Sequence, residues 1–424
     1  LAEMACANAP AWVGSFVVDG ILGGVFAVLG FIPQILTLFL FFSILEDTGY
    51  MARIAFILDR IFRKFGLSGR AFMPMVMGFG CSLPAMINTR TLADDKERTS
   101  TVRVIPFFSC GAKLPILTAV AGAVVAYFGV GNADVITMCM YLLGICTAIV
   151  TVILMRSTTM RGEVPPFIME LPAYHAPRFQ SLMVHLWDKT KHYIKKAFTI
   201  ILASTIVIWF LSSFNWSWQF LINEDGDNLR MNESILGSIG MLIQPLFTPL
   251  GFGSQLGVEF GWVFAVAAIT GLVAKENVIA TFGSLAAVIV GSLIATEDGV
   301  SEVTAMIQGT GIGIPGLISF IAFNMLTIPC FAACATARAE LPKGKFKWTL
   351  LFWLATSYVV SMAIYLIGSW WWTCFIFIAA AAAAVALIVL WNKKHPMKKE
   401  TVSATVGLDE AALDEAAVTR EEKK

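Results

Sequence analysis

The sequence predicts an all-α polytopic membrane protein, built as two inverted repeats whose helices are broken or re-entrant. Three observations carry this. Of 424 residues, 57% are hydrophobic and 14% charged, where soluble domains carry about 25% charged residues. Apolar runs of about 20 residues, enough to cross a bilayer as a helix, recur between Gly24 and Trp391. Several runs are interrupted at mid-length by glycine, proline and cysteine in close succession.

The elements follow in order. Residues 1–23 form an N-terminal segment expected outside the membrane. No basic stretch and cleavage pattern precedes the first apolar run, so no signal peptide is expected, and an external N-terminus implies a further span upstream. Full spans are expected near 24–45, 103–128, 135–155, 197–214, 315–337, 348–368 and 370–392. Segments 71–92 and 258–294 are interrupted and read as hairpins or re-entrant elements. A shorter apolar piece, 235–250, is broken by Pro245 and Pro249. Between the first two, "MARIAFILDRIFRKFG" alternates basic and apolar residues at helical spacing, the pattern of a helix lying in the membrane interface. The units are a first module over 24–155, a cytoplasmic loop over 156–196, and a second module over 197–338. C-terminal membrane helices over 339–392 and a polar cytoplasmic tail over 393–424 complete the chain.

Charge tests this layout, because loops on the cytoplasmic side are enriched in lysine and arginine. Of the 30 such residues, 27 fall in 46–70, 90–103, 156–196, 338–347 and the tail beyond Trp391, all on one side. Only Arg230 lies in a loop assigned to the other side, while Lys113 and Lys275 fall within membrane segments. The C-terminus is therefore expected in the cytoplasm. A formal net charge of +1 offers no general attraction to nucleic acid.

The orientation exposes the repeat. In each half a span is followed by an interrupted segment and then by a span with its own break, "SCGAKLP" from Ser109 and "TIPC" from Thr327. The parts keep their order and reverse their direction. Inverted repeats with broken helices are an architecture of secondary transporters, with the substrate near the midplane. In hydrocarbon every unpaired backbone group is costly, so breaks persist where they face protein or a wet cavity.

Each break carries a thiol: Cys81, Cys110 and Cys330. Thiolates suit borderline and soft metals such as Fe(II), Zn(II) or Cu(I). One such cysteine alone is more readily a packing residue; three at three breaks point to metal contact. Cys334 lies one turn beyond Cys330. The remaining membrane cysteines, Cys139, Cys146 and Cys374, read as packing, and no paired spacing suggests disulfides. Glu46 and Asp47 end the first span, as interfacial acids or as part of an exit. Lys275 and Glu276 sit inside the second hairpin, where charges are functional candidates by default. Met73, Met75, Met77 and Met86 read as core. His175, His185, His192 and His395 make no metal-binding spacing and receive no site.

The strings "FFSILEDTGYMARIAFILDR", "GLSGRAFMPMVMGFGCSLPAMINTRTL", "PFFSCGAKLP" and "TGLVAKENVIATFG" resemble the membrane domain of the ferrous iron transport protein B (FeoB) family, from about Val18 to Arg338. The resemblance implies two gate modules of the nucleoside-recognition type and uptake of Fe2+ across the bacterial inner membrane. It places the family's gate cysteines on Cys81, Cys110 and Cys330, and marks Glu46–Asp47 and Lys275–Glu276 as family features. Members of the family also carry a G domain, yet no G-x-x-x-x-G-K-S/T occurs here. GTP and Mg2+ are thus expected only through a G domain that is missing or separate, with small cytoplasmic Feo proteins as further partners.

The expected function is a ferrous ion permease rather than an enzyme. The ion would lose water to thiolates and carbonyls between the gates and leave near Glu46 and Asp47. A cation-coupled transporter of nucleosides or other organic solutes is the alternative, but it favours acidic and amide side chains at the breaks. A membrane enzyme or receptor would need a nucleophile–base pair, and none is visible.

Overall fold

In a computed structural model, the structure describes residues 11–158, Tyr174, 179–221, 233–253, 262–286 and 299–394, save positions 66, 93, 274, 276, 277, 280, 284 and 285. Residues 1–10, most of the 159–178 loop, the end of the second hairpin, Glu276 and the tail from 395 lie outside the described residues. What is described is helical, without any strand longer than an isolated bridge.

α1 (Gly23–Asp47) is extended backwards by a short helix over Ala11–Ser15 and a wider π-helical turn over Phe16–Leu22. Residues 11–22, expected as an external segment, are therefore helical. They pack on the long helix α8 (Phe179–Ser213): the Trp209 ring lies tilted against Phe16, centroids 5.0 Å apart, and donates from Nε1 to Ser15 Oγ at 3.0 Å. Further along, Gly24 faces Thr205 and Leu202. The pairing 15 with 209 and 24 with 205 makes α1 and α8 antiparallel, as inverted repeats require of their first helices.

α1 ends where Gly49 takes φ +73°, a conformation glycine adopts without steric penalty. The chain turns by 79° into α2 (Tyr50–Phe65). α2 buries Met51 and Ala55 and exposes Phe56, Ile57 and Ile61. An uncovered apolar stripe beside Arg60 and Lys64 fits a helix lying in the interface. Its last carbonyls, on Arg63 and Lys64, accept from Arg156 Nη1 at 2.8 Å each.

The interrupted 71–92 segment forms α3 (Phe72–Gly80) and α4 (Ser82–Asn88). It returns to the side it left, since Ser68 N at its start donates to Glu97 Oε1 beyond its end at 2.5 Å. α5 (Asp95–Val104), capped by the Asp94 carboxylate, rises again, breaks over 105–113, and continues as α6 (Leu114–Phe128). α7 (Ala133–Thr158) comes back. Its outer face exposes Val135, Met138, Leu142 and Val150, a surface suited to lipid rather than water. Gly144 sits against the break: a Cβ there would lie 2.5 Å from the Phe107 carbonyl oxygen. Gly144→Ala should cost about 1–3 kcal/mol by overpacking. A lowered thermal midpoint in detergent checks this.

The prolines of the expected 156–196 loop end at Pro177, and beyond them nothing opposes a helix. α8 accordingly starts at Phe179, so residues 179–196, with His185 and His192, are helical rather than loop. α9 (Ile235–Phe247) and α10 (Val263–Val273) follow. α11 (Val300–Thr310) falls between expected elements. Its mixed sequence "SEVTAMIQGT" hides its burial, which includes Glu302. α12 (Ile314–Leu326) and α13 (Phe331–Glu340) form the last broken span, bent by 41°. α14 (Lys345–Ser369) runs antiparallel to α12, with Gly368 against Pro315 and Ser319 Oγ donating to Ser361 O at 3.0 Å. α15 (Thr373–Lys394) closes the described fold.

Among the described residues three helices are long and apolar enough to cross a membrane, and five if each bent pair is one span. The expected spans 197–214 and 370–392 contribute the shorter apolar stretches Leu202–Ser213 and Thr373–Ala383. Exposed tryptophans lie near helix ends, Trp216 and Trp218 after α8, Trp370–Trp372 before α15, and Trp187 and Trp348 near the starts of α8 and α14. Tryptophan is enriched at both membrane boundaries. The second half packs an aromatic core of Phe247, Phe252, Phe264, Phe282, Phe320 and Phe323. Phe252 and Phe320 meet edge to face at 5.3 Å, the favoured ring geometry.

Candidate ion site at the helix breaks

All three breaks share one local design. Cys81 lies between α3 and α4 with extended backbone, φ −153° and ψ 129°. Cys110, φ −81° and ψ 163°, precedes the turn Gly111–Lys113 that opens α6. Cys330, φ −53° and ψ 155°, precedes α13. Each thiol therefore stands immediately before a restarted helix, and each is half-buried. Pro84 falls in the first turn of α4 and Pro115 in that of α6, positions where a missing N–H costs little. The prolines here start helices as much as they stop them.

α1 lines two of the breaks. A Cβ on Gly80 would collide with Leu38, and one on Gly111 would lie 2.5 Å from Gln34 Nε2. Glycine at 80 and 111 thus lets α1 approach both breaks and brings the Gln34 amide to the second. α4 and α13 pack on one another. Each begins at a thiol, and their far ends are joined by Arg90 and Glu340, with Nε to Oε2 at 2.8 Å and Nη2 to Oε1 at 2.6 Å. The carboxylate is 5% exposed and the guanidinium 66%. With one partner in solvent, the pair should contribute about 1–2 kcal/mol. A double-mutant cycle with Arg90→Gln and Glu340→Gln, read by thermal unfolding, measures it.

Lys113 is the most heavily bonded polar group of the region. It is 2% exposed, and its Nζ donates to Pro106 O at 2.7 Å, Met325 O at 2.5 Å and Phe108 O at 3.5 Å. Pro106 and Phe108 belong to the second break and Met325 to the third, so one ammonium ties the two halves. Lys275, in the turn after α10, is also buried, but its Nζ has no hydrogen-bond partner among the described residues. Lys113 and Lys275 lie within electrostatic reach of one another and of Cys110 and Cys330. Buried oxygens without hydrogen-bond partners among the described residues, Ser109 Oγ, Asn324 Oδ1 and Thr327 Oγ1, cluster in the sequence of the same two breaks.

The sequence-expected site is brought together in part. Cys110 and Cys330 share Lys113 as an electrostatic neighbour, and Cys81 precedes α4, which packs on α13. Among the described residues, however, no three His, Cys, Asp or Glu side chains gather closely enough to hold a metal ion by themselves. Cys334 is buried, and its Sγ donates to Pro329 O at 3.3 Å, so it caps a carbonyl at the break. Glu46 is exposed and Asp47 half-buried at the end of α1. They lie eight and nine residues beyond Leu38, about 12 Å further along the helix. Glu276 lies outside the described residues. The sequence reading missed Gln34, although a lone amide in "GFIPQILTLFLFF" was a visible signal, and it missed the partners of Lys113, which no local pattern encodes.

A profile described as "Gate: Nucleoside recognition" matches residues 28–126 and 194–343, and one described as "Ferrous iron transport protein B C terminus" matches residues 137–189. The chain is 39% identical over 353 residues to the Fe(2+) transporter FeoB of Campylobacter jejuni, covering 82% of this chain and 55% of that protein. It is 35% identical over 355 residues to the Fe(2+) transporter FeoB of Staphylococcus aureus strain MSSA476, covering 83% and 49%. It is 33% identical over 394 residues to a Porphyromonas gingivalis Fe(2+) transport protein A/Fe(2+) transporter FeoB fusion protein, covering 84% and 45%. No solved structure matches. The chain spans about half the length of these curated relatives.

Fold and profile together define a polytopic membrane protein of the nucleoside-recognition gate class. With the ferrous iron profile seated between the two gate matches, the chain belongs to the ferrous iron transport protein B family, whose membrane region it carries.

Proposed function

We propose that this chain forms the membrane path of a ferrous iron transporter, with gate modules over 24–155 and 197–338. The observation that carries the reading is the repeated break with a thiol before the restarted helix, at Cys81, Cys110 and Cys330. The printed names of the similar proteins support Fe2+ as substrate. Fe(II) accepts thiolate and backbone oxygen together, whereas Mg2+ demands oxygen and sheds water reluctantly. Among the described residues no three side chains close a cage; in this reading thiols in succession hold the ion in passing, with backbone oxygen or water completing its shell.

The ion enters from the side opposite the basic loops and leaves by Glu46 and Asp47 on the basic side, which faces the cytoplasm across a bacterial inner membrane. A G domain, upstream or on a separate chain, would couple GTP and Mg2+ to the gates. The fusion of transport protein A with FeoB in one similar protein supports a small accessory Feo partner. The nucleoside reading draws only on the description of the gate profile.

Anaerobic radio-iron uptake by cells expressing the full-length protein tests the proposal. Uptake above empty-vector cells, with excess Mg2+ failing to compete, is the expected result. Uptake at the background level, or nucleoside uptake in its place, would end the reading.

A further inference from the structure

Lys113 answers a question the breaks raise. α12 ends at Leu326 with Thr327 extended, so the Met325 carbonyl in its last turn has no helical donor. In hydrocarbon that oxygen requires a partner. It finds the Lys113 ammonium, from the other module, at 2.5 Å. The same ammonium binds Pro106 O and Phe108 O at its own break. Backbone oxygens of both modules, the hard half of any shell an ion would find here, are therefore filled by a cation of the chain itself. That cation sits within electrostatic reach of both Cys110 and Cys330.

We propose that Lys113 is a tethered cation that shuts the path: its ammonium occupies the backbone oxygens exposed by both breaks, and Fe2+ advances past Cys110 and Cys330 only when Lys113 withdraws. This rests on the ferrous transport reading above. Two cations cannot share one set of carbonyl oxygens, because like charges at contact repel strongly in a medium of low dielectric. The bond crosses between modules, so withdrawal of Lys113 and separation of the modules at this point are one event. A purely structural cap would hold the same oxygens throughout transport.

The test uses the wild-type full-length protein in sealed anaerobic vesicles treated with N-hydroxysuccinimidyl acetate, with and without Fe2+, while radio-iron uptake is followed in parallel. Acetylation at Lys113 is read by mass spectrometry against exposed Lys347. Without metal Lys113 should resist the reagent. During uptake its labelling should rise about tenfold or more, the change expected for giving up one charge-assisted hydrogen bond. Uptake with unchanged Lys113 labelling overturns the tethered cation and leaves the transport reading standing. Absence of uptake overturns the transport reading, and this inference with it.

Discussion

Replacing Cys110 or Cys330 with serine is expected to lower ferrous iron uptake by about 10–100-fold or more, while Cys139→Ser and Cys146→Ser leave it unchanged. Serine keeps the shape and removes only the soft donor, so packing is preserved and ligation is not. Supporting groups around metal sites are typically worth 10–100-fold, and a direct ligand should match or exceed that. Cys139 and Cys146 are exposed on α7, on the face that also presents Met138 and Leu142. Cys81→Ser should also impair uptake, because α4 packs against the helix that Cys330 begins. Uptake by each variant at matched protein level is the measurement. Equal losses at the α7 cysteines would assign the effect to general thiol chemistry rather than to the breaks.

The second large effect contrasts the two buried lysines. Lys113→Met is expected to destabilise the protein by about 2–4 kcal/mol, because each backbone oxygen left without a donor costs about 1–3 kcal/mol and loss of the buried charge offsets part of the sum. Lys275→Met should be neutral or stabilising. Its Nζ is buried with no hydrogen-bond partner among the described residues, and replacing a buried amine that lacks such a partner with an apolar side chain of similar volume relieves a cost. Thermal unfolding in one detergent compares them directly. Opposite signs are the expected outcome; equal destabilisation would mean that Lys275 has a bonded role like that of Lys113.

Much of this was legible in the residues themselves. Proline and cysteine within a few positions marked all three thiol-bearing breaks, with glycine added at the first two, because proline and glycine have backbone consequences that act locally. The amphipathic α2 was legible from its spacing. What stayed hidden was tertiary. Lys113 and Met325 are 212 positions apart, and Arg90 and Glu340 are 250 apart. Neither partner carries a mark of the other. Lys113 read as an oddity beside a metal site until its acceptors were seen to be carbonyls that the breaks had released. α11 was hidden because its polar residues face protein rather than water, and the start of α8 because basic residues on a helix resemble a loop in composition.

The central claim is that sulfur at the breaks touches the ion. X-ray absorption at the iron edge, on anaerobically loaded wild-type protein and its Cys110→Ser and Cys330→Ser variants, tests it most directly. The account requires sulfur in the first coordination shell of the wild type and less of it in each variant. A shell of oxygen and nitrogen alone, identical in all three proteins, would contradict it.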